Sequence, residues 1–103
     1  MATFIKALGT SDLLPGSMKT VHVGGKTIAL ANVDGEVFAI DDTCSHAQCS
    51  LGSEGFIDGN VVTCGCHGAQ FDVTNGKVMS MPAVVDVASY PVKVEDQDVL
   101  IAL

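Results

Sequence analysis

The chain has 103 residues, a length that fits a single domain. Its twelve acidic residues outnumber its five basic residues, which gives a formal net charge of −7. All five basic residues are lysines, so the chain lacks the arginines that are best suited to binding phosphate groups. An acidic chain of this kind is not expected to bind nucleic acid.

The N-terminal segment Met1-Ala2-Thr3-Phe4-Ile5-Lys6 has no basic start followed by a long apolar stretch. We therefore expect no secretory signal and no membrane-spanning segment. The expected location is the cytoplasm.

Short apolar runs alternate with turn residues along the chain. A first strand is expected at residues 4–8, and a single helical turn capped by Thr10 or Ser11 is expected at residues 11–14. Later strands are expected at residues 18–23, 26–31 continuing over 29–33, 37–40, 55–57, 61–63, 70–73, 77–79, 87–94 and 99–102. The turn signals between them are Gly24-Gly25, Asp34-Gly35, Asp58-Gly59-Asn60, Asn75-Gly76 and residues 95–98. This pattern predicts an all-β fold, either a sandwich or a barrel.

Two matched groups of metal-ligand residues stand out in the middle of the chain. Cys44-Ser45-His46 is followed, further along, by Cys64-Gly65-Cys66-His67. Two cysteines and two histidines are the ligands of a [2Fe–2S] cluster in which two histidines replace two cysteines on one iron. The spacing predicts such a cluster, held by Cys44, His46, Cys64 and His67.

Other uses of these cysteines fit the spacing less well. Zinc also binds two cysteines with two histidines, but its usual motif opens with two cysteines and not with Cys-x-His. A four-cysteine [2Fe–2S] site matches Cys44 and Cys49, yet no cysteine follows at the next required position. Two structural disulfides are typical of small secreted domains, and no secretion signal is visible here.

These motifs resemble the Rieske family, and the resemblance covers nearly the whole chain. Rieske proteins of cytochrome bc complexes also carry the extra cysteines found here as Cys49 and Cys66, and the resemblance implies a disulfide between them. It further implies an antiparallel β-sandwich or barrel base with a small inserted cluster-binding β subdomain. Residues 1–103 would form one Rieske domain, with the subdomain at about 42–82 and the base at about 1–41 and 83–103.

The resemblance also assigns roles around the cluster. Cys44 and Cys64 would bind one iron, and His46 and His67 would bind the other. High-potential members carry serine and tyrosine where this chain has Ala69 and Phe71, so we expect a reduction potential in the lower part of the Rieske range of about −150 to +300 mV. Residues expected to surround the cluster are Gly65, Gly68, Ala69, Phe71 and Pro82.

Within the family, the chain resembles the ferredoxins of bacterial ring-hydroxylating oxygenases. It implies a monomeric one-electron carrier between an NAD(P)H-dependent flavoprotein reductase and a terminal oxygenase of aromatic hydrocarbon catabolism. The chain itself is not expected to be an enzyme. Alternatives are a stand-alone Rieske protein of another pathway, such as a nitrite reductase small subunit or a respiratory protein, and a structural zinc-binding module.

Overall fold

Antiparallel β-strands make up most of the computed structural model, which describes residues 3–42, 50–65, 68–80 and 86–102. The strands are β1 (Phe4–Gly9), β2 (Met18–Val23), β3 (Lys26–Val33), β4 (Glu36–Asp41), β5 (Phe56–Asp58), β6 (Val61–Thr63), β7 (Gln70–Asp72), β8 (Val78–Ser80), β9 (Ser89–Tyr90), β10 (Val92–Glu95) and β11 (Asp98–Ala102). A 3₁₀ helix spans Thr10–Asp12, and a short helix α1 spans Leu51–Glu54. The predicted all-β class is confirmed.

The strands form three sheets. One has the order β1-β11-β10, and a second has the order β2-β3-β4-β9. The third has the order β5-β6-β7-β8, and all of its strands lie between β4 and β9 in the sequence. Because β5 to β8 follow one another in order, this sheet is a simple meander that can be inserted between β4 and β9 without crossing the other sheets.

Strand β3 lies between two cores because its side chains alternate between two faces. Its alanines Ala29 and Ala31 belong to a first core, which the third sheet completes with residues such as Val62 and Phe71. Its larger residues Ile28 and Leu30 belong to a second core, which also contains Val99 and Ile101 from β11. The uninterrupted apolar run in β3 is therefore explained by burial on both sides.

Tight turns join neighbouring strands where the sequence predicts them. Gly24 and Gly25 have φ angles of 58° and 78°, and Asp34 and Gly35 have φ angles of 52° and 95°. Two successive residues with positive φ form the turn that matches the twist of a β-hairpin. Both predicted two-residue hairpins are thus confirmed.

Two local predictions are wrong. The 3₁₀ helix starts at Thr10, and its N-cap is Gly9 without any side-chain hydrogen bond, so neither Thr10 nor Ser11 caps it. The strand expected over 87–94 is divided at Pro91, because β9 pairs with β4 whereas β10 pairs with β11. Proline suits this change of sheet, since it has no N–H to donate to a ladder.

Candidate metal centre

The second ligand segment begins where strand β6 ends. Cys64 follows Thr63 directly, and its backbone N–H donates to the Ala69 carbonyl at 2.7 Å. The N–H of Gly68 donates to the Cys64 carbonyl at 3.0 Å. Gly68 has a φ of 80°, a left-handed conformation that glycine adopts without strain. The turn between β6 and β7 therefore fixes the backbone of Cys64 on both sides.

The side chain of Cys64 is buried. Only 1% of the residue is exposed, and it is a free cysteine within the first core. Ala69 and Phe71 are fully buried in the same core, and Phe71 pairs with Val62 across β6 and β7. Phe71 packs within this core, and neither Ala69 nor Phe71 has a hydroxyl to offer. Gly65, beside Cys64, is exposed.

The first ligand segment is held at both ends by backbone hydrogen bonds. The Asp42 carbonyl accepts from the Leu51 N–H at 2.6 Å, which closes the chain between them. The Asp42 N–H donates to the Thr27 carbonyl at 3.2 Å, so this closure is fixed to the end of the second sheet. Whatever path residues 43–49 follow, they leave and re-enter the fold at neighbouring points.

Side chains reinforce this closure. The buried Asp42 accepts hydrogen bonds at Oδ1 from the Thr20 hydroxyl at 2.8 Å and from the Gly52 N–H at 2.9 Å. Helix α1 begins at this point because the Ser50 hydroxyl accepts from the Ser53 N–H at 3.1 Å, a typical N-cap bond. Sequence analysis missed this arrangement. Ser50 and Ser53 are a capping signal, but the residues around Thr20 give no sign that its hydroxyl bonds to Asp42 and Ser50, which are 22 and 30 residues away.

The two ligand segments start from one packed unit. Leu51, at the end of the first segment, belongs to the same core as Cys64. A Cβ on Gly55 would collide with the Leu51 carbonyl oxygen and would lie 3.0 Å from the Thr63 carbonyl oxygen. Glycine at this position therefore lets helix α1 lie directly against the strand that leads to Cys64.

A third segment, residues 81–85, also has its ends fixed. The Val78 N–H donates to the Asp86 carboxylate at 2.8 Å, and the Val87 N–H donates to the Gly76 carbonyl at 2.9 Å. Gly76 has a φ of 78°, and a Cβ there would collide with the Val87 carbonyl oxygen. This close approach brings the end of the third segment against the third sheet.

A second carboxylate stands next to the closure of the first segment. The Tyr90 hydroxyl donates to Asp41 Oδ1 at 2.5 Å, and the Asp41 N–H donates to the Ala88 carbonyl at 2.8 Å. Burial, followed by the hydrogen bond to Asp41 and the charge of Asp41, raises the pKa of Tyr90 to about 12. These bonds join β4 to β9 immediately before the first ligand segment.

Several predicted site residues lie outside the residues that the structure describes: Cys44, His46, Cys49, Cys66, His67 and Pro82. The residues that are described contain no group of three or more candidate metal ligands. Cys64 fits an iron–sulfur centre, because it is buried among apolar side chains of the kind that shield a cluster from water. Its backbone is fixed, so a thiolate there would need little reorganisation to bind iron.

Comparison with known proteins identifies the centre. Residues 3–91 match the family of Rieske [2Fe-2S] domains. The chain belongs to the Rieske family. Its antiparallel sheets and its resident [2Fe–2S] cluster follow from this membership, and the zinc alternative is thereby set aside.

Several similar Rieske proteins are ferredoxins. The ferredoxin subunit of biphenyl dioxygenase from Pseudomonas sp. (strain KKS102) is 40% identical over 96% of this chain and 91% of its own length. The ferredoxin component of biphenyl 2,3-dioxygenase from Rhodococcus jostii (strain RHA1) is 44% identical over 95% of this chain and 91% of its own. A structure of reduced oxygenase in complex with oxidized ferredoxin from carbazole 1,9a-dioxygenase gives a TM-score of 0.88 at 36% identity, covering 96% of this chain and 92% of the other.

The Rieske chain is therefore an electron-transfer component of ferredoxin type and not a catalytic subunit. Across the part of the chain that the structure describes, no helix has the length and apolar character needed to cross a membrane.

Proposed function

We propose that this ferredoxin accepts single electrons from an NAD(P)H-dependent flavoprotein reductase and delivers them to the terminal oxygenase of a system that hydroxylates aromatic rings. The observation that carries the proposal is the match, over more than nine-tenths of both chains, to ferredoxin components of biphenyl dioxygenase systems. A carrier between two larger proteins needs no substrate pocket of its own.

Within this proposal, Cys44 and Cys64 bind one iron and His46 and His67 bind the other. When bound, the cluster supplies a one-electron couple whose potential is raised by the replacement of two thiolates with two imidazoles. The buried position of Cys64 supports its assignment, because a thiolate there is shielded from water. The closure at Asp42 and Leu51 supports the assignment of Cys44 and His46, since both lie within the segment that it delimits.

The proposed organisation divides the single domain, residues 1–103, into a base and a subdomain. The whole of the third sheet, Phe56 to Ser80, falls inside the proposed subdomain at about 42–82. Gly65 and Gly68 would allow the backbone to approach the cluster, and Pro82 would help to cover it. A disulfide between Cys49 and Cys66 would connect the two ligand segments, which start from one packed unit.

The charge of the molecule supports partners with basic docking faces. Twelve acidic residues against five lysines give the carrier a field that attracts positive surfaces and orients it during encounter. We propose that the carrier acts as a monomer in the cytoplasm, where the NAD(P)H that feeds the reductase is available.

Reconstitution tests the pathway. Purified chain is combined with the flavoprotein reductase and the terminal oxygenase of a biphenyl dioxygenase system, and consumption of NADH and formation of dihydroxylated product are measured. Product should form only when the chain is present, and Cys64→Ser should abolish it because the iron-binding thiolate is lost. Phe4→Ala, on an exposed part of β1, is the matched control and should retain activity.

Two different results would contradict two different parts of the proposal. A chain that holds a Rieske cluster but transfers no electrons to any ring-hydroxylating oxygenase tested would contradict the pathway. Full activity of Cys64→Ser would contradict the ligand set.

A further inference from the structure

The hydroxyl of Thr20 lies at the centre of a polar cluster that includes Asp42 and Ser50, the residues on either side of the first ligand segment. Its Oγ1 is 2.8 Å from Asp42 Oδ1, and it is 3.0 Å from the hydroxyl oxygens of both Ser50 and Ser53. Gly52 completes the cluster by donating its N–H to Asp42 Oδ1. We call these five residues the Thr20 cluster.

Counting donors fixes the direction of the bonds. A threonine hydroxyl has one proton, and the carboxylate of Asp42 can only accept, so Thr20 donates to Asp42. The hydroxyls of Ser50 and Ser53 must then donate to Thr20, and Ser50 still accepts from the Ser53 N–H. The bonds of Thr20 to Ser50 and Ser53, and the bond of Gly52 to Asp42, therefore connect strand β2 and Asp42 to the start of helix α1.

The Thr20 cluster is closely packed around Gly52. A Cβ on Gly52 would collide with Thr20 Oγ1 and would lie 2.9 Å from Asp42 Oδ1. Gly52 is thus required for the approach of α1 to Thr20. Asp42 is only 3% exposed, so its bonds are sheltered from competition with water.

The buried carboxylate has no basic partner among the described residues. The ion pairs found there, Lys6 with Asp98 and Lys93 with Glu95, lie on exposed parts of the first sheet. All identified donors to the Asp42 side chain, Thr20 and Gly52, are neutral. Within the described residues, the negative charge of Asp42 is spread by hydrogen bonds and is not cancelled by a basic group.

Asp42 is close to the ligand segment by covalent structure alone. Only Thr43 separates it from Cys44, so the Cα atoms of Asp42 and Cys44 lie within about 7 Å along any path of the chain. A negative charge at this distance in a partly desolvated site disfavours the arrival of an electron.

We propose that Thr20 and Asp42 are positioning residues for the electron-transfer centre: the Thr20 cluster holds the first ligand segment in place, and the charge of Asp42 lowers the reduction potential. This inference rests on the proposed ligand set, because it requires Cys44 and His46 to bind the cluster. It assigns a function to residues outside both ligand motifs.

The charge is tested with Asp42→Asn. Asparagine keeps the shape of the side chain and an oxygen that accepts from Thr20 and Gly52, but it removes the charge. At a solution potential equal to the wild-type midpoint, the ratio of reduced to oxidised protein should rise about threefold or more. The electron paramagnetic resonance signal should keep its wild-type shape, because the ligands are unchanged.

The positioning role is tested with Thr20→Val, which keeps the volume of the side chain and removes the hydroxyl. The variant should lose its visible absorption about tenfold faster than wild type, or more, in the presence of an iron chelator, a factor consistent with the loss of a hydrogen bond to a charged group. Thr20→Ser should restore the wild-type rate. Thr27→Val is the matched control, since the Thr27 hydroxyl lies outside the cluster and, in the part of the chain that the structure describes, is hydrogen-bonded to His22 at 3.3 Å.

The outcomes separate this inference from the proposed function. An unchanged potential in Asp42→Asn, or a Thr20→Val protein that loses its absorption no faster than Thr27→Val, would overturn the inference. If Thr20→Val does not fold, a Thr20→Ser protein with faster loss than Thr27→Val would overturn it as well. A wild-type protein without a Rieske spectrum would instead contradict the proposed ligand set.

Discussion

Ala69 and Phe71 lie in the same buried core as Cys64. Both are fully buried behind Cys64, and neither carries a hydroxyl. Hydrogen bonds to the sulfurs of an iron–sulfur cluster raise its potential because they stabilise the added electron. The lack of a hydroxyl at these two positions is consistent with a carrier that donates readily to an oxygenase.

Adding those hydroxyls should raise the potential. We expect Ala69→Ser and Phe71→Tyr each to shift the midpoint upward, and the double variant to shift it further, as measured by protein-film voltammetry. Phe38→Tyr is the matched control, because Phe38 packs against the same core from strand β4. A midpoint that is equal in Phe71→Tyr and Phe38→Tyr would show that the hydroxyl does not reach the centre.

Gly76 allows two backbone segments to approach each other closely. Comparison with Gly25, which has the same φ, separates the cost of losing this approach from the cost of φ strain. Gly76 and Gly25 both have a φ of 78°, but only at Gly76 would a Cβ meet another backbone atom, the Val87 carbonyl oxygen. Gly25→Ala should cost about 1 kcal/mol of unfolding free energy through φ strain alone. Gly76→Ala should cost about 1–3 kcal/mol more, because the backbones must separate. Urea unfolding measures both, and equal costs would contradict the close approach.

Strand β9 is short, and the bond between Tyr90 and Asp41 supplements its pairing with β4. The pairing covers Ala39 with Tyr90 and Ile40 with Ser89. The Tyr90 hydroxyl adds a side-chain bond to Asp41 at the edge of this ladder. The same contact stabilises the end of β4 just before the first ligand segment begins.

This bond should make stability depend on pH in the alkaline range. The pKa of Tyr90 is raised to about 12, above its value of about 10 in an unfolded chain, so folding favours the protonated phenol. Its stabilisation is fully present below about pH 10 and is lost as the pH rises through about 12. Tyr90→Phe should cost about 1–2 kcal/mol near pH 9 and progressively less towards pH 12.

Chemical denaturation of both proteins at several pH values measures this difference. The lysines, which lose their charge over the same range, are common to both proteins and their contributions cancel. A difference between wild type and Tyr90→Phe that stays constant with pH would contradict the role of the Asp41 bond.

The strands were predictable from sequence because their signals are local. Gly24-Gly25 and Asp34-Gly35 require positive φ, and the structure has hairpins at both. Helix α1 was not predictable from periodicity, because four residues are too few to show one. It is instead held by Thr20, which is 30 residues from Ser50, and pairing over such a distance leaves no mark in either segment.

The motif residues of the candidate site were predictable from sequence, but the hydrogen bonds that hold the neighbouring backbone were not. Cys64 and its neighbours Ala69 and Phe71 were identified from the motif, and the structure brings them together in one core. The burial of Asp42 could not be derived, since aspartates are usually exposed and only the fold reveals the donors around this one. The break at Pro91 was missed for a similar reason, because the choice of partner strand is a property of the whole fold.

The net charge of the whole molecule predicts how its electron transfer responds to salt. A carrier with a charge of −7 that docks on basic faces should react several-fold more slowly with its oxygenase as the ionic strength rises from about 0.05 to about 0.5 M. Stopped-flow spectroscopy measures the rate. Reduction by dithionite, itself an anion, should become faster over the same range and serves as the control. An oxygenase rate that is independent of salt would contradict electrostatic docking.

The account depends most on the identity and potential of the centre, and a redox titration followed by visible absorption and electron paramagnetic resonance measures both. We predict a red-brown protein with the low average g-value of a Rieske cluster and a midpoint in the lower part of the range of about −150 to +300 mV. A Rieske signal with a high positive midpoint would contradict the argument from Ala69 and Phe71 and would favour a respiratory role. A colourless protein that binds one zinc ion would contradict the Rieske centre itself.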